Sequence, residues 1–98
     1  MELRALEEAM EQFVTAKGWY DPSSPRPQTP RNLAISLVLE AAEVLELFQW
    51  KETADREALA EELADVMLYL LQLARRHGID LGQAVMDKLA RNYQREWP

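Results

Sequence analysis

Apolar residues recur along this chain at helical spacing, and no stretch shows the strict alternation of a half-buried strand. Leu3, Leu6, Met10 and Phe13 place one apolar stripe on a first amphipathic helix over residues 2–17, and Gly18 ends it. Residues 19–30 carry four prolines and two serines in twelve positions, which excludes regular structure. A loop of that length points to function or mobility. A second helix follows, with Asn32 as its cap, and runs to about Trp50. Over residues 33–48 it is apolar on nearly every side, broken mainly by Ser36 and three glutamates, a pattern that predicts a helix buried all round. A polar link over residues 51–55 leads to Asp55 as the cap of a third helix, read over residues 58–77 with an apolar stripe of Leu59, Leu63, Val66, Leu70 and Leu73. Gly78 ends it. Asp80 with Gln83 three positions later resembles a capping box for a fourth helix that turns Leu81, Val85 and Leu89 inward and runs to about Arg95. Four helices with mostly short connections predict an all-α, four-helix antiparallel bundle.

Length and charge narrow the picture. Ninety-eight residues make a single domain, residues 1–98. A chain of that size buries roughly 60–65% of its unfolded surface, a marginal core that association with further copies would reinforce. The net charge of −6 argues against binding a nucleic-acid polymer. The absence of cysteine excludes a disulfide framework and thiol chemistry. The first segment is acidic and amphipathic rather than a basic leader, and no uncharged apolar run reaches membrane-spanning length. A soluble, cytoplasmic protein with no membrane partner is the expectation.

The acids within the apolar second helix are its least ordinary feature. Buried carboxylates are costly unless paired or bound to a metal. Ser36, Glu40, Glu43, Leu47 and Trp50 step by four, three, four and three and so share one stripe. Glu62, Asp65, Tyr69 and Gln72 form a second stripe on the next helix. If the two stripes face each other, Glu40, Glu43, Glu62 and Asp65 make a four-carboxylate site suited to a hard divalent cation such as Mg²⁺, with Mn²⁺ as a substitute. The competing reading is solvated acids on amphipathic helices, with Glu46 and Glu61 as off-stripe examples. A di-iron carboxylate bundle would need Glu-x-x-His motifs. The only histidine, His77, sits instead at the end of the third helix, where it suits the helix C-terminus. The same lack of nearby histidine and cysteine argues against zinc.

Further polar and aromatic groups could complete such a site. Lys88, Asn92 and Arg95 step by four and three on the last helix and could hold phosphates, against the plainer reading of a solvated basic face. Arg31 is an additional candidate cation. Trp19, Trp50 and Tyr69 offer faces for stacking against a base, although core packing is the commoner use of such residues.

Glu40-Ala41-Ala42-Glu43 followed by Glu62-Leu63-Ala64-Asp65 resembles the paired-acid signature of the MazG-type, all-α nucleoside triphosphate pyrophosphohydrolases. Pro30-Arg31-Asn32-Leu33 and Leu47-Phe48-Gln49-Trp50 narrow the resemblance to the small dCTP pyrophosphatase branch, and it runs from about Leu6 to Arg95. It implies a Mg²⁺-dependent hydrolase acting on a nucleoside triphosphate, dCTP or a modified form, to give the monophosphate and pyrophosphate in cleansing of the nucleotide pool. It implies catalytic and metal-binding roles for Glu40, Glu43, Glu62 and Asp65. Trp19 and Trp50 match positions of the base pocket, and Lys88, Asn92 and Arg95 match the end of the family's fourth helix. With Asn32 of the Pro-Arg-Asn-Leu run and Tyr69, they make up the implied substrate-binding set. A homo-oligomer, dimer or tetramer, is implied as well. Departures lie on the pocket side: Pro27-Gln28-Thr29 stand where relatives carry Phe-His, and the preceding loop is longer. Met10 occupies a position where some relatives place a histidine, and the tail reads Arg95-Glu96-Trp97-Pro98, with Trp97 expected to pack at the C-terminus. Outside this resemblance stand a non-catalytic metal- or nucleotide-binding helical module and a purely structural helical dimer. Within the enzyme class, dUTP and a phosphoribosyl compound of histidine synthesis are sibling substrates.

Overall fold

The structure, a computed structural model, describes residues 1–97. It contains four α-helices, α1 (Leu3–Ala16), α2 (Pro30–Glu46), α3 (Arg56–Arg76) and α4 (Leu81–Gln94), and no strand among the described residues. The all-α expectation holds. None of these helices is long and apolar enough to cross a membrane.

Local chemistry sets the helix ends. α1 and α3 both stop in a left-handed glycine, Gly18 at φ 72° and Gly78 at φ 63°. At α1 the Gly18 N–H donates to Thr15 O (3.0 Å) and the Trp19 N–H to Val14 O (3.2 Å). At α3 the Gly78 N–H donates to Arg75 O (3.2 Å) and the Ile79 N–H to Ala74 O (2.9 Å). This pair of bonds satisfies carbonyls that the helix leaves open, and the positive φ it requires is cheap only for glycine. Asp55 caps α3 by accepting from the Ala58 N–H at 3.0 Å, as expected.

Two end assignments are corrected. The cap of α2 is Thr29, not Asn32: the Thr29 hydroxyl accepts from the Asn32 N–H at 3.2 Å. Pro30 at the first helical position has its φ already set and no N–H to leave unpaired, so the helix begins ahead of Asn32. The Asn32 side chain instead donates to the Pro27 carbonyl at 2.9 Å. At the other end α2 stops at Glu46 rather than about Trp50. The N–H groups of Leu47, Phe48 and Gln49 bond three residues back, at 3.0–3.2 Å, so the chain tightens and leaves the α-helical path. At α4, Asp80 accepts from the Gln83 N–H at 3.0 Å, but the Gln83 amide reaches forward to Asp87 at 2.8 Å, so only half of the expected capping box forms.

α3 is the central helix, packed against α2 on one side and α1 on the other. The buried cluster is Met10, Val14 and Leu71, with Leu3, Leu6, Tyr20, Met67 and Leu81 packed around it. Leu33 and Ala74 are buried as well. The expected α3 stripe is thus displaced: Leu71 and Ala74 are its buried apolar residues, with Gln72 buried between them, while Leu63 and Leu70 are exposed. α4 departs further from expectation. Leu81 packs on the core, but Val85 and Leu89 are 50% and 47% exposed, and α4 has no buried residue. The four helices expected of an antiparallel bundle are present, with α1 and α2 packed on α3, and α4 reaches the buried cluster through Leu81 while leaving much of its apolar face open. α2 is not buried all round either: only Leu33 is buried, and Val38 is 67% exposed beside Ile35 and Leu39. One protomer supplies nothing to cover that face. The radius of gyration of 15.8 Å exceeds the about 13 Å of a compact chain of this length.

Removing the corrected cap gives a test of this assignment. Thr29→Ala will cost about 1 kcal/mol in urea unfolding. Asn32→Ala, which keeps the backbone N–H that Thr29 caps, will cost less.

Candidate metal centre and adjoining cavity

Glu40 and Glu43 lie one turn apart on α2, and Glu62 and Asp65 one turn apart on α3. Because those helices pack together, the two acidic stripes meet. One oxygen from each of the four residues lies within 4.8 Å of the other three. Glu40, Glu62 and Asp65 are half-buried and Glu43 is exposed. Glu40 Oε2 and Glu62 Oε2 are buried without a hydrogen-bond partner. An unpaired buried oxygen costs roughly 1–3 kcal/mol, more when it carries charge. No ion pair relieves the cluster: among the described residues the one salt bridge joins Arg75 to Glu11 at 3.2 Å.

The consequences show in the titration of the cluster. Burial first, then a hydrogen bond to Glu43 and the charges of Glu43 and Asp65, hold the Glu40 carboxyl above its ordinary range. Glu62 is pushed up to about 7, chiefly by a proton-requiring hydrogen bond to Glu43, then by burial and the charges of Glu43, Asp65 and Glu40. Four acids so placed need positive charge, either as protons or as a cation. The donor set is all carboxylate oxygen, with two oxygens unpartnered, and it fits a hard divalent ion. His77 is elsewhere, its Nδ1 donating to the Leu73 carbonyl at 2.8 Å near the end of α3. Glu46 and Glu61 are exposed and outside the cluster.

The acids open onto a cavity of about 510 Å³ between α1 and α3. Glu40 and Asp65 line one part of it, and Met10, Phe13, Val14, Trp19, Leu68, Tyr69 and Gln72 line much of the rest. Trp19 stands edge-on to Phe13, ring centres 5.5 Å apart at 87°. Two of the three aromatic candidates, Trp19 and Tyr69, are therefore beside the acids. Trp50 is not: with α2 ended at Glu46 it leaves the acid stripe and is 86% exposed.

The remaining sequence candidates lie off the cavity in this protomer. Asn32 is exposed at the start of α2, and Arg31 borders the uncovered α2 face with Ile35, Val38 and Leu39. Lys88 is exposed on α4. Asn92 is half-buried, its Oδ1 buried and without a partner. Arg95 lies past the end of α4 in extended backbone, so it leaves the expected stripe, and its guanidinium sits 4.0 Å over the Trp97 ring. Conversely, the cavity uses residues that pattern reading assigned to a core or left without a role. Met10 and Phe13 were legible as an apolar stripe on α1, and that stripe both packs the core and faces the cavity. Gln72 was legible on the acid stripe, without any sign that its amide would be buried.

Comparison with known proteins gives the family of the chain. The sequence model of the MazG-like family matches residues 35–97, which contain all four acids. The chain belongs to the MazG-like family. It is similar to dCTP pyrophosphatase 1 of Rattus norvegicus, 47% identical over 76 residues, covering 67% of this chain and 45% of the relative. The Homo sapiens dCTP pyrophosphatase 1 is 45% identical over the same extent. The chain thus spans less than half the length of these relatives. A crystal structure of a pyrophosphatase from Archaeoglobus fulgidus superposes with a TM-score of 0.78 at 34% identity, covering 94% of this chain and 89% of that one.

The Glu62 shift fixes a pH dependence. An unfolded glutamate loses its proton near 4.5, whereas folded Glu62 keeps it to about 7. Between those values the folded state holds more protons, so stability falls as pH rises through that window and levels off above it. Thermal unfolding in a chelator will show wild type losing stability over this range relative to Glu62→Gln. Added Mg²⁺ will restore it increasingly as pH rises, because binding displaces protons.

Proposed function

We propose that this chain, as one catalytic domain, hydrolyses a deoxynucleoside triphosphate to the monophosphate and pyrophosphate with Mg²⁺ as cofactor, and that dCTP or a modified dCTP is the substrate. The observation that carries this reading is the convergence of four carboxylates beside a cavity lined by Trp19 and Tyr69. The similarity to dCTP pyrophosphatases supports the choice of base.

Glu40, Glu43, Glu62 and Asp65 hold the metal. When bound, Mg²⁺ supplies Lewis-acid polarisation of phosphate oxygens and lowers the pKa of a bound water. The chain's own groups do the rest. The carboxylates would hold the cation that receives the triphosphate end of the substrate, and they set its place beside the cavity. One of the acids, Glu43 or Glu62, accepts the proton of the attacking water. Trp19 and Tyr69 flank the base, which excludes water from that part of the site. Charge neutralisation within the cluster also lets an anionic substrate approach a chain of net charge −6. Asn32, Lys88, Asn92 and Arg95 serve the phosphates, and Trp50 the base, once the sites are completed by assembly.

A homo-oligomer, dimer or tetramer, belongs to this reading. The uncovered faces of α2 (Ile35, Val38, Leu39) and α4 (Val85, Met86, Leu89) and the large radius of gyration support it. A cytoplasmic role in cleansing the nucleotide pool, without membrane or nucleic-acid partners, follows from the same activity.

Pyrophosphate release from a panel of purified nucleoside triphosphates tests the activity. The expected result is Mg²⁺-dependent release, strongest for dCTP and its 5-modified forms; no release from any nucleotide would leave a binding module and overturn the reading. Glu43→Gln and Asp65→Asn will each lower turnover by roughly 10²-fold or more, with helical content unchanged by circular dichroism. For the assembly, Val38→Glu will shift the sedimentation coefficient toward the single protomer.

A further inference from the structure

The cavity ends on a polar group that the proposed reaction does not use. Gln72 is the only buried polar side chain among the described residues, 4% exposed, and it lines the cavity. Burying a carboxamide is costly unless it has partners. One side of it is satisfied: the Tyr20 hydroxyl donates to Gln72 Oε1 at 3.2 Å. That donor is itself held in place. The Arg76 guanidinium lies 5.5 Å over the Tyr20 ring, and the hydroxyl also approaches Met10 Sδ at 3.9 Å. Burial, then the charge of Glu11, keeps the phenol pKa above its usual value, so the hydroxyl retains its proton. With its oxygen held toward the Tyr20 hydroxyl, the carboxamide keeps its N–H₂ group free to meet an incoming ligand. The two N–H bonds are left for what enters the cavity.

Position makes that ligand group a base edge. Asp65, Tyr69 and Gln72 lie on one stripe of α3, and seven residues of helix separate Asp65 from Gln72, an axial rise of about 10 Å. Phosphates held at the acids leave that length for a sugar and one ring, flanked by Trp19 and Tyr69. Cytosine presents two adjacent acceptors, O2 and N3, to a pair of donors. Uracil and thymine carry a proton on N3, which would meet the amide donor to donor. Uracil still accepts at O2 and O4, so the discrimination lies at N3, where a fixed donor meets an acceptor on cytosine and a proton on uracil.

We infer that Gln72, oriented by Tyr20, reads the Watson–Crick edge of the base and selects cytosine over uracil. This rests on the cavity being the base pocket of the proposed enzyme. Gln72 is the specificity-determining group, and Tyr20 is a positioning residue that acts through it.

The test compares dCTP with dUTP turnover, and dCMP with dUMP affinity by calorimetry, in wild type, Tyr20→Phe and Gln72→Leu. Wild type favours the cytosine compound in both assays. Tyr20→Phe releases the carboxamide to turn either its oxygen or its nitrogen to the base. The dCTP:dUTP ratio of kcat/KM then falls roughly tenfold, the scale of one hydrogen bond, by loss for dCTP and gain for dUTP. Gln72→Leu lowers the ratio as well, by loss for dCTP. A purely structural role would lower both substrates together and leave the ratio intact. An unchanged ratio in both variants, or a wild type without base preference, overturns the inference. If wild type turns over no nucleotide yet binds dCMP over dUMP, and Tyr20→Phe abolishes that preference, the enzyme reading fails and the Gln72 assignment stands.

Discussion

Four carboxylates held within 4.8 Å of one another, with no ion pair to them among the described residues, are the constraint on which the rest of this structure turns. Left alone, they repel. Two of their oxygens are buried and unpartnered, and two of the acids retain protons above the usual carboxylate range. Helix packing supplies what opposes that repulsion. α3 is fixed on one side by the Met10–Val14–Leu71 cluster and on the other by α2. The packing of α2 on α3 keeps the two acid-bearing faces together. An arrangement that costs stability in the absence of a cation is prepared to bind one, and the binding free energy then includes the relief of repulsion. The proposed site and the fold are thereby coupled: a bound cation would stabilise the α2–α3 pair, and the pair sets the positions of the four acids.

The same geometry resolves an electrostatic conflict. A chain of net charge −6 with an acidic centre would repel a triphosphate. In the proposed function, a divalent ion held by the cluster would reverse the local sign where phosphates bind. The cavity beside it is lined mainly by apolar and aromatic groups, with Gln72 as its buried amide, and in the proposed function charge recognition and base recognition occupy different ends of one site. Both ends are carried by α3, which makes their separation a property of a rigid helix rather than of a loop.

Much of this was legible from spacing alone. Three-residue intervals put Glu40 with Glu43 and Glu62 with Asp65 on single faces, and apolar surroundings marked the first pair as unusual. Gly18, Gly78, Asp55 and Asp80 marked helix ends because each solves a local backbone problem. What failed depended on context. Asn32 lost the cap to Thr29 because Pro30 prefers the first helical position, and the Leu47–Trp50 run lost its helix to a tightened turn for which the sequence carries no glycine or proline signal. That turn also moved Trp50 off the stripe. Val85 and Leu89 were read as inward because α4 is amphipathic, and amphipathicity states that a face will be covered without stating by what. Gln72 shows the opposite limit: its place on the stripe was readable, but its burial and its bond from Tyr20 arise across 52 residues of sequence separation.

Anomalous diffraction from crystals of the full chain soaked in Mn²⁺ tests the central claim most directly. The account predicts a peak bounded by Glu40, Glu43, Glu62 and Asp65, absent in the Glu43→Gln, Asp65→Asn double variant. Peaks confined to other surfaces, with the four carboxylates left without a bound ion, would contradict it.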